Sequence, residues 1–395
     1  MAIPITYNIR NLRLRLGATL MTALGIALTV TVALFIMALL SGLNSAFKTS
    51  GSPLNVLVLR KGSTAELNST VTRAQMQDLR YLTGVSQDSA GEPLASGEMV
   101  VVIVLPRKNG SGETNVTVRG MTPVGFKLRP TVQLAEGRWF TPGQREVVVS
   151  QSIHERFDDT SLGNSLEFGK GKWTVVGIFN ARGTTHDSEI WADVNQMGAD
   201  FDRTEYSSAL LRATDPVAAD ALKHRMSDDQ RLKLDGMIEQ EYYATQTQSG
   251  KPIQFVGTLV AIIMAIGSCF AAMNTMYAAV AYRSREIATL RILGFSRSSI
   301  LTSFVIESVL LSILGGSIGI LLMLPFNGLT TGTSNMVTFS EVVFNLRITP
   351  VVASTALGFA VIMGLFGGLS RSDRTVGRNA CDNTDDSNER ACSRG

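Results

Sequence analysis

Residue types that carry chemistry are sparse in this sequence, and their spacing speaks of charge placement rather than bond making. Three histidines, His154, His186 and His224, lie in unrelated contexts. Three cysteines, Cys269, Cys381 and Cys392, leave the middle of the chain with none, so neither a disulfide framework nor a thiolate zinc site is expected there. A phosphate loop requires a Gly, four residues and then Gly-Lys-Ser/Thr, so that backbone N–H groups cradle the phosphates. That spacing is absent, as are Gly-x-Ser-x-Gly and His-Glu-x-x-His. The Gly-rich piece Gly163 to Gly171 is better read as a hairpin turn, and Asp158, Asp159, Asp228 and Asp229 as solvated surface. Catalytic residues, a metal and a cofactor of its own are therefore not expected. Two placements of charge remain. Arg283, Arg285, Glu286, Arg291 and Arg297 crowd one short stretch, and Glu307 stands alone in an apolar run.

The elements that would position these groups follow from hydropathy. The 395 residues are 45% apolar and 17% charged, unevenly placed. Runs from about Gly17 to Leu40, Phe255 to Tyr282, Ile300 to Phe326 and Val351 to Leu369 contain no charge except Glu307. Each is long enough, at about 1.5 Å per residue, to cross a hydrocarbon core of about 30 Å. The first run, preceded by Arg10, Arg13 and Arg15, also has the flank of a signal peptide, but it exceeds the roughly 7 to 15 residues of a signal core. Arginines before the first span and between the second and third place both segments in the cytoplasm. The expected fold is a membrane protein with four transmembrane α-helices and a large mixed α/β extracytoplasmic domain inserted between helices 1 and 2. The net charge of +3 is too small and dispersed for nucleic acid.

Inside the spans, Gly315 with Gly319 and Gly364 with Gly368 recur at a spacing of four, which lets helix backbones approach closely in lipid. Glu307 lies about two turns inside the third span, where an ionised carboxylate costs at least about 2.5 kcal/mol unless paired. A partner, and a role in helix packing, are expected for it. Between the first two spans, strands are predicted at Asn55 to Leu59, Met99 to Leu105, Thr114 to Arg119, Glu146 to Ser150, Lys172 to Phe179 and Ser207 to Arg212. Thr72 with Gln75 forms a capping box that opens one helix, and Asp215-Pro216 opens another.

The stretch from Tyr282 to Arg297 reads as a short amphipathic helix. Ile287, Leu290 and Leu293 or Gly294 share a face, Arg283 can meet Glu286, Gly294 ends the helix, and Ser296 or Ser298 caps the next. Such a basic helix is either an anchor on membrane lipid or a docking surface for a cytoplasmic partner.

This segment resembles the motif after the second span of the FtsX and MacB-type ABC permeases, in which Arg, Glu-Ile, Leu-Arg, Gly and Ser-Arg recur in that order. Asn11-Leu12 leading into Thr22 to Ala27 is similar to that family's first helix. Gly137-Arg138-Trp139-Phe140, Glu146 to Ser150 and Trp173 to Phe179 are similar to its periplasmic core, and Glu307 followed by Gly315-Gly316 to its third span. The resemblance implies residues 1–43 as cytoplasmic N-terminus and helix 1, 44–252 as a MacB-like periplasmic core domain, and 253–369 as an FtsX-like permease domain. It implies a dimer of permease protomers in the bacterial inner membrane, each docked through Arg283, Arg285, Glu286, Ile287, Leu290, Arg291, Gly294 and Arg297 to an ABC ATPase subunit that binds the ATP. In MacB the ATPase is fused ahead of the first span; about sixteen residues precede it here, so a separate ATPase chain is expected.

Two functions are compatible with the resemblance. One is export of a small amphiphile, peptide or lipid-linked cargo by mechanotransmission, with a periplasmic adaptor. The other is a signal relay that activates a cell-wall hydrolase without transport. The size of the outer domain favours export. After Leu369 the family continues with Pro-Ala and Ala-Ala-Arg, whereas this chain reads Ser370-Arg371-Ser372-Asp373-Arg374. Residues 370–395 form an atypical tail whose composition cannot build a core, and disorder is expected for it.

Overall fold

The computed structural model describes residues 16–378, apart from 111, 230, 247–250, 283–287, 290–291, 294–295 and 336–338. From the N-terminus the chain runs through α1 (Leu16–Thr49), β1 (Asn55–Arg60), α2 (Arg73–Arg80), β2 (Ala95–Pro106), β3 (Glu113–Met121) and α3 (Val124–Leu128). Next come β4 (Gln133–Gly137), β5 (Glu146–Ser150), α4 (Gln151–Arg156), β6 (Ser165–Phe168), β7 (Gly171–Asn180), β8 (Glu189–Asp193) and α5 (Val194–Asp200). Then follow β9 (Ser208–Arg212), α6 (Pro216–Asp228), β10 (Leu234–Ile238), α7 (Glu239–Gln246) and the long α8 (Lys251–Tyr282). Last are α9 (Arg297–Met323), the strands β11 (Thr330–Ser334) and β12 (Glu341–Asn345), and α10 (Pro350–Arg378). These elements form two units: a helix unit of Met1–Ser41, Pro252–Gly328 and Arg347–Gly395, and an outer unit of Gly42–Lys251 and Leu329–Leu346.

In the outer unit a sheet of ten strands runs β10-β1-β9-β2-β3-β8-β5-β7-β4, with β6 pairing β7. The pairs β3/β8 and β5/β7 are parallel and the others antiparallel. Alternation explains how β5 is buried on both faces. Val147 and Val149 join a core with Ile103, Val118 and Trp173, while Val148 points the opposite way into a second core with Phe179 and Trp191. A third core collects Val56, Val58, Leu79, Leu211, Leu222 and Met226 where α2 and α6 cover β1 and β9. Each such fully buried aliphatic side chain contributes about 1.5–3 kcal/mol relative to exposure.

Local chemistry sets the helix starts. Thr72 Oγ1 accepts from Gln75 N at 3.1 Å while Thr72 N donates to Gln75 Oε1 at 2.8 Å, the expected capping box of α2. Asp215 accepts from Ala218 N at 2.8 Å and Pro216 occupies the first turn of α6. The stretch Gly163 to Gly171 contains the β6–β7 hairpin, with Gly169 at φ +62° supplying the left-handed turn. Strands β1, β2, β3, β5, β7 and β9 match the six predicted runs; β4, β6, β8, β10, β11 and β12 fall outside them.

The β11–β12 hairpin lies between α9 and α10 in sequence yet belongs to the outer unit. Val342, Val343 and Phe344 are buried, Val343 N donates to Ser188 Oγ at 2.6 Å, and Glu341 accepts from Arg107 at 2.7 Å and from Arg156.

Among the described residues the helix unit holds four long helices; α1 runs past Leu40 to Thr49, and α10 continues to Arg378, into the stretch expected to be a disordered tail. Among the described residues, two stretches are long and apolar enough to cross a membrane, Thr19–Thr49 and Thr302–Phe326; Gln254–Gly267 and Pro350–Leu365 are shorter apolar stretches within α8 and α10. Ser296 caps α9 by accepting from Ser299 N at 3.2 Å.

Candidate functional site

Of the residues expected to dock an ATPase, Arg283, Arg285, Glu286, Ile287, Leu290, Arg291 and Gly294 lie outside the described residues. Arg297 opens α9. Within the same stretch Leu293 N donates to Thr289 O at 3.0 Å, and Ile292 and Leu293 are 85% and 67% exposed, leaving apolar surface uncovered.

Gly315, Gly319 and Gly364 stand close to neighbouring helices. A Cβ on Gly315 would stand 2.7 Å from Ala23 O, and one on Gly319 2.7 Å from Ala27 O, so α1 lies against the bare backbone of α9. Thr31 Oγ1 sits at the same crossing, donating to Ala27 O at 2.7 Å with Gly319 O at 3.3 Å. Gly316, one residue round, faces Leu357 and Ala360 of α10, and Gly364 of α10 faces Ser308 and Ser312 of α9. Gly315 and Gly319 thus receive one neighbour while Gly316 receives another, which makes α9 the central helix of the seam. Gly368 falls in α10. Glu307 is buried in α9 and engaged with its surroundings rather than free.

The outer unit holds a second constellation that sequence reasoning missed. Glu98 on β2, Arg119 on β3, Glu189 on β8 and Ser208 on β9 bring their side chains together on one side of the central strands. Glu66 joins from the turn Glu66–Asn68, Arg129 from just after α3, and Glu239 from the start of α7. All of these are buried. Arg119 donates to Glu66 Oε1 at 2.7 Å, to Glu98 Oε2 at 2.8 Å and to Glu189 Oε1 at 2.8 Å, so one guanidinium serves three carboxylates. Arg129 makes a two-pronged contact with Glu98, at 2.6 and 2.8 Å. Glu239 Oε2 accepts from Asn55 Nδ2 at 2.7 Å and from Ser52 N at 2.9 Å, and Arg212 reaches the cluster through Asn55 Oδ1 at 2.6 Å.

Electrostatics act on two of these carboxylates, Glu98 and Glu189. Against the penalty of burial, the Arg129 and Arg119 guanidiniums hold the Glu98 carboxyl below the ordinary carboxylate range. Against the same penalty, Arg119 and then His186 hold Glu189 well below it. His186 Nδ1 lies 3.1 Å from Glu189 Oε2, and Trp191 Nε1 donates to that oxygen at 2.8 Å. Burial pushes the phenols of Tyr242 and Tyr243 up. Glu98 and Glu189, both oxygens of each hydrogen-bonded, are poor proton carriers and poor nucleophiles. Their chemistry is that of a clamp across β1, β9, β2, β3 and β8. Glu98 flanks one predicted strand and Arg119 ends another, on the face opposite Val116 and Val118; a charge so placed on a central strand was the available signal.

Comparison with known proteins places these units. A family model described as the MacB-like periplasmic core domain matches residues 19–229, more than half of the chain, and one described as the FtsX-like permease C-terminal matches residues 258–379. The chain belongs to the FtsX/MacB-type ABC transporter permeases, membrane proteins with an extracytoplasmic domain. It is 26% identical over 349 residues to the uncharacterized ABC transporter permease YknZ of Bacillus subtilis, covering 79% of this chain and 84% of that one. Against the macrolide export ATP-binding/permease protein MacB of Wolinella succinogenes the identity is 23% over 384 residues, covering 91% of this chain but 57% of the relative. The crystal structure of the extracellular domain of the noncanonic ABC-type transporter YknZ from Gram-positive bacteria aligns over 46% of this chain and 99% of that one, at 18% identity and a TM-score of 0.35.

Proposed function

We propose that this chain is the permease subunit of an ABC system, a multi-pass protein of the bacterial inner membrane with four spans, a cytoplasmic N-terminus and its outer unit in the periplasm. ATP is hydrolysed by a separate ATPase subunit docked on the segment from Arg283 to Arg297, and two permease protomers act together. Closure of the ATPases shifts the helices and moves the outer unit, driving export of a small amphiphile, peptide or lipid-linked cargo with a periplasmic adaptor. The observation that carries this reading is the order of the two family matches on one chain, residues 19–229 and then 258–379, with span-capable helices in both. The exposed Ile292 and Leu293 support the docking segment, since apolar surface at a cytoplasmic edge calls for a partner. The relatives named as macrolide exporters support an amphiphilic cargo.

The docking claim is tested by Glu286→Ala with Arg291→Ala in the full chain, followed by co-purification of the ATPase. Capture is expected to fall about tenfold or more, as for loss of buried charged contacts. Undiminished capture sinks the claim. Orientation is tested by a tag within residues 44–252, whose protection from externally added protease in spheroplasts would contradict a periplasmic outer unit.

A further inference from the structure

On the outer unit, α2 forms one wall of an open groove of about 450 Å³ whose lining includes Arg73, Met76, Arg80, Gly97, Val124 and Tyr206. The volume lies in the range of small-molecule sites, about 300–1,000 Å³. Its shape comes from a missing side chain. A Cβ on Gly97 would stand 2.9 Å from the Tyr206 ring, so the ring lies flat on bare β2 backbone and forms an apolar floor.

Charge in the groove has a single sign. Two of the lining residues are arginines and none is acidic. Positions 73 and 80 are two turns apart on α2, hence on one face. Arg73 is held in place. Its Nε donates to Thr204 O at 3.0 Å, its Nη atoms reach Asn195 Oδ1 at 3.3 and 3.4 Å, and its guanidinium carbon lies 5.4 Å from the Tyr206 ring centre. Arg80 is different. Its Nε is buried with no hydrogen-bond partner among the described residues, and its ion-pair partner Glu92 stands at 3.6 Å and is 66% exposed, a pair that water screens heavily. With its ion pair screened by water, the Arg80 guanidinium leaves positive charge beside an apolar floor, which suits an anion that carries an apolar body.

We propose that this groove binds a soluble amphiphilic anion, its carboxylate or phosphate head between Arg73 and Arg80 and its apolar tail along Met76, Val124 and the Tyr206 ring. The proposal rests on the outer unit alone and holds whether or not the chain works as an exporter.

The test uses the full chain in nanodiscs of phosphatidylcholine and decanoate carrying a diazirine at its apolar end. After illumination the labelled peptides are mapped by mass spectrometry, which separates the groove from probe dissolved in lipid. Label is expected on the peptides holding Met76, Val124 or Tyr206, displaced by unlabelled decanoate or decyl phosphate and about tenfold less well by decanol, the cost of one charge-assisted contact. Arg80→Gln is expected to cut labelling about tenfold. Ala74→Trp, which fills the groove from an exposed helix position, is expected to abolish it while the circular dichroism spectrum stays unchanged. Label elsewhere, equal displacement by decanol, or insensitivity to both variants overturns the proposal. So does displacement by phosphatidylglycerol placed in the disc without displacement by decanoate, which would make the ligand a membrane lipid.

Discussion

The helix unit and the outer unit are held together by opposite means. In the helix unit, contact is made by removing side chains: Gly315 and Gly319 let α1 reach the α9 backbone, and Gly364 admits Ser308 and Ser312. In the outer unit, contact is made by adding large or charged ones: Trp173 and Trp191 fill cores, and Arg119 gathers three carboxylates between strands. The surroundings explain the difference. Lipid offers no hydrophobic gain for joining apolar helices, so association depends on close approach of backbones. Water rewards burial of apolar surface, and a sheet covered on both faces can then enclose a paired charge cluster.

Acid should break this contrast most visibly. Glu98 and Glu189 have folded-state pKa values below the unfolded value of about 4.3. The stability they contribute is complete above that value and lost as pH falls through the depressed one, so the outer unit should unfold below about pH 4 while the helices persist. All three tryptophans, Trp139, Trp173 and Trp191, lie in the outer unit, so their fluorescence reports on that unit and far-ultraviolet dichroism on the helices. Coincident transitions would show that the two units are not held by different chemistry. Next in size is Arg119→Met, which leaves Glu66 without its arginine and Glu189 with His186 as its remaining ion-pair partner, and should destabilise the outer unit by about 3–5 kcal/mol in denaturant followed by the same fluorescence.

Gly315→Leu sharpens the comparison from the other side. Forcing a side chain against Ala23 O should cost the helix unit about 1–3 kcal/mol, seen as a lower melting temperature by dichroism with fluorescence unmoved. The smallest effect is expected from Thr72→Ala, which removes the cap of α2 at about 1 kcal/mol. Hydrogen exchange should then quicken at Ala74 to Met76 and leave β5 protected.

Legibility in the sequence followed the range of each interaction. Hydropathy located the long helices, and the spacing of four exposed Gly315 and Gly319 as contacts, because both signals repeat within a few residues. Alternation located β1, β2, β3, β5, β7 and β9. It missed β8, Glu189–Asp193, and β10, Leu234–Ile238, each only five residues long and interrupted by charge or glycine. The charge cluster was the least legible part. Glu66, Glu98, Arg119, Arg129, Glu189 and Glu239 are drawn from distant segments, and only Glu98 and Arg119, beside predicted strands, carried a local signal. The proposed docking segment is the reverse case, since it rests on the sequence pattern from Arg283 to Arg297 alone.

The β11–β12 hairpin imposes an order on how this protein is made. Glu341 leaves the ribosome 185 residues after Arg156 and 234 residues after Arg107, the two arginines it binds. Synthesis of α9 falls in that interval, so the outer unit is complete only after the third long helix exists. Until then the apolar ground that Val342, Val343 and Phe344 bury against is uncovered by them. Closure of the outer unit therefore waits on synthesis of the helix that precedes the hairpin.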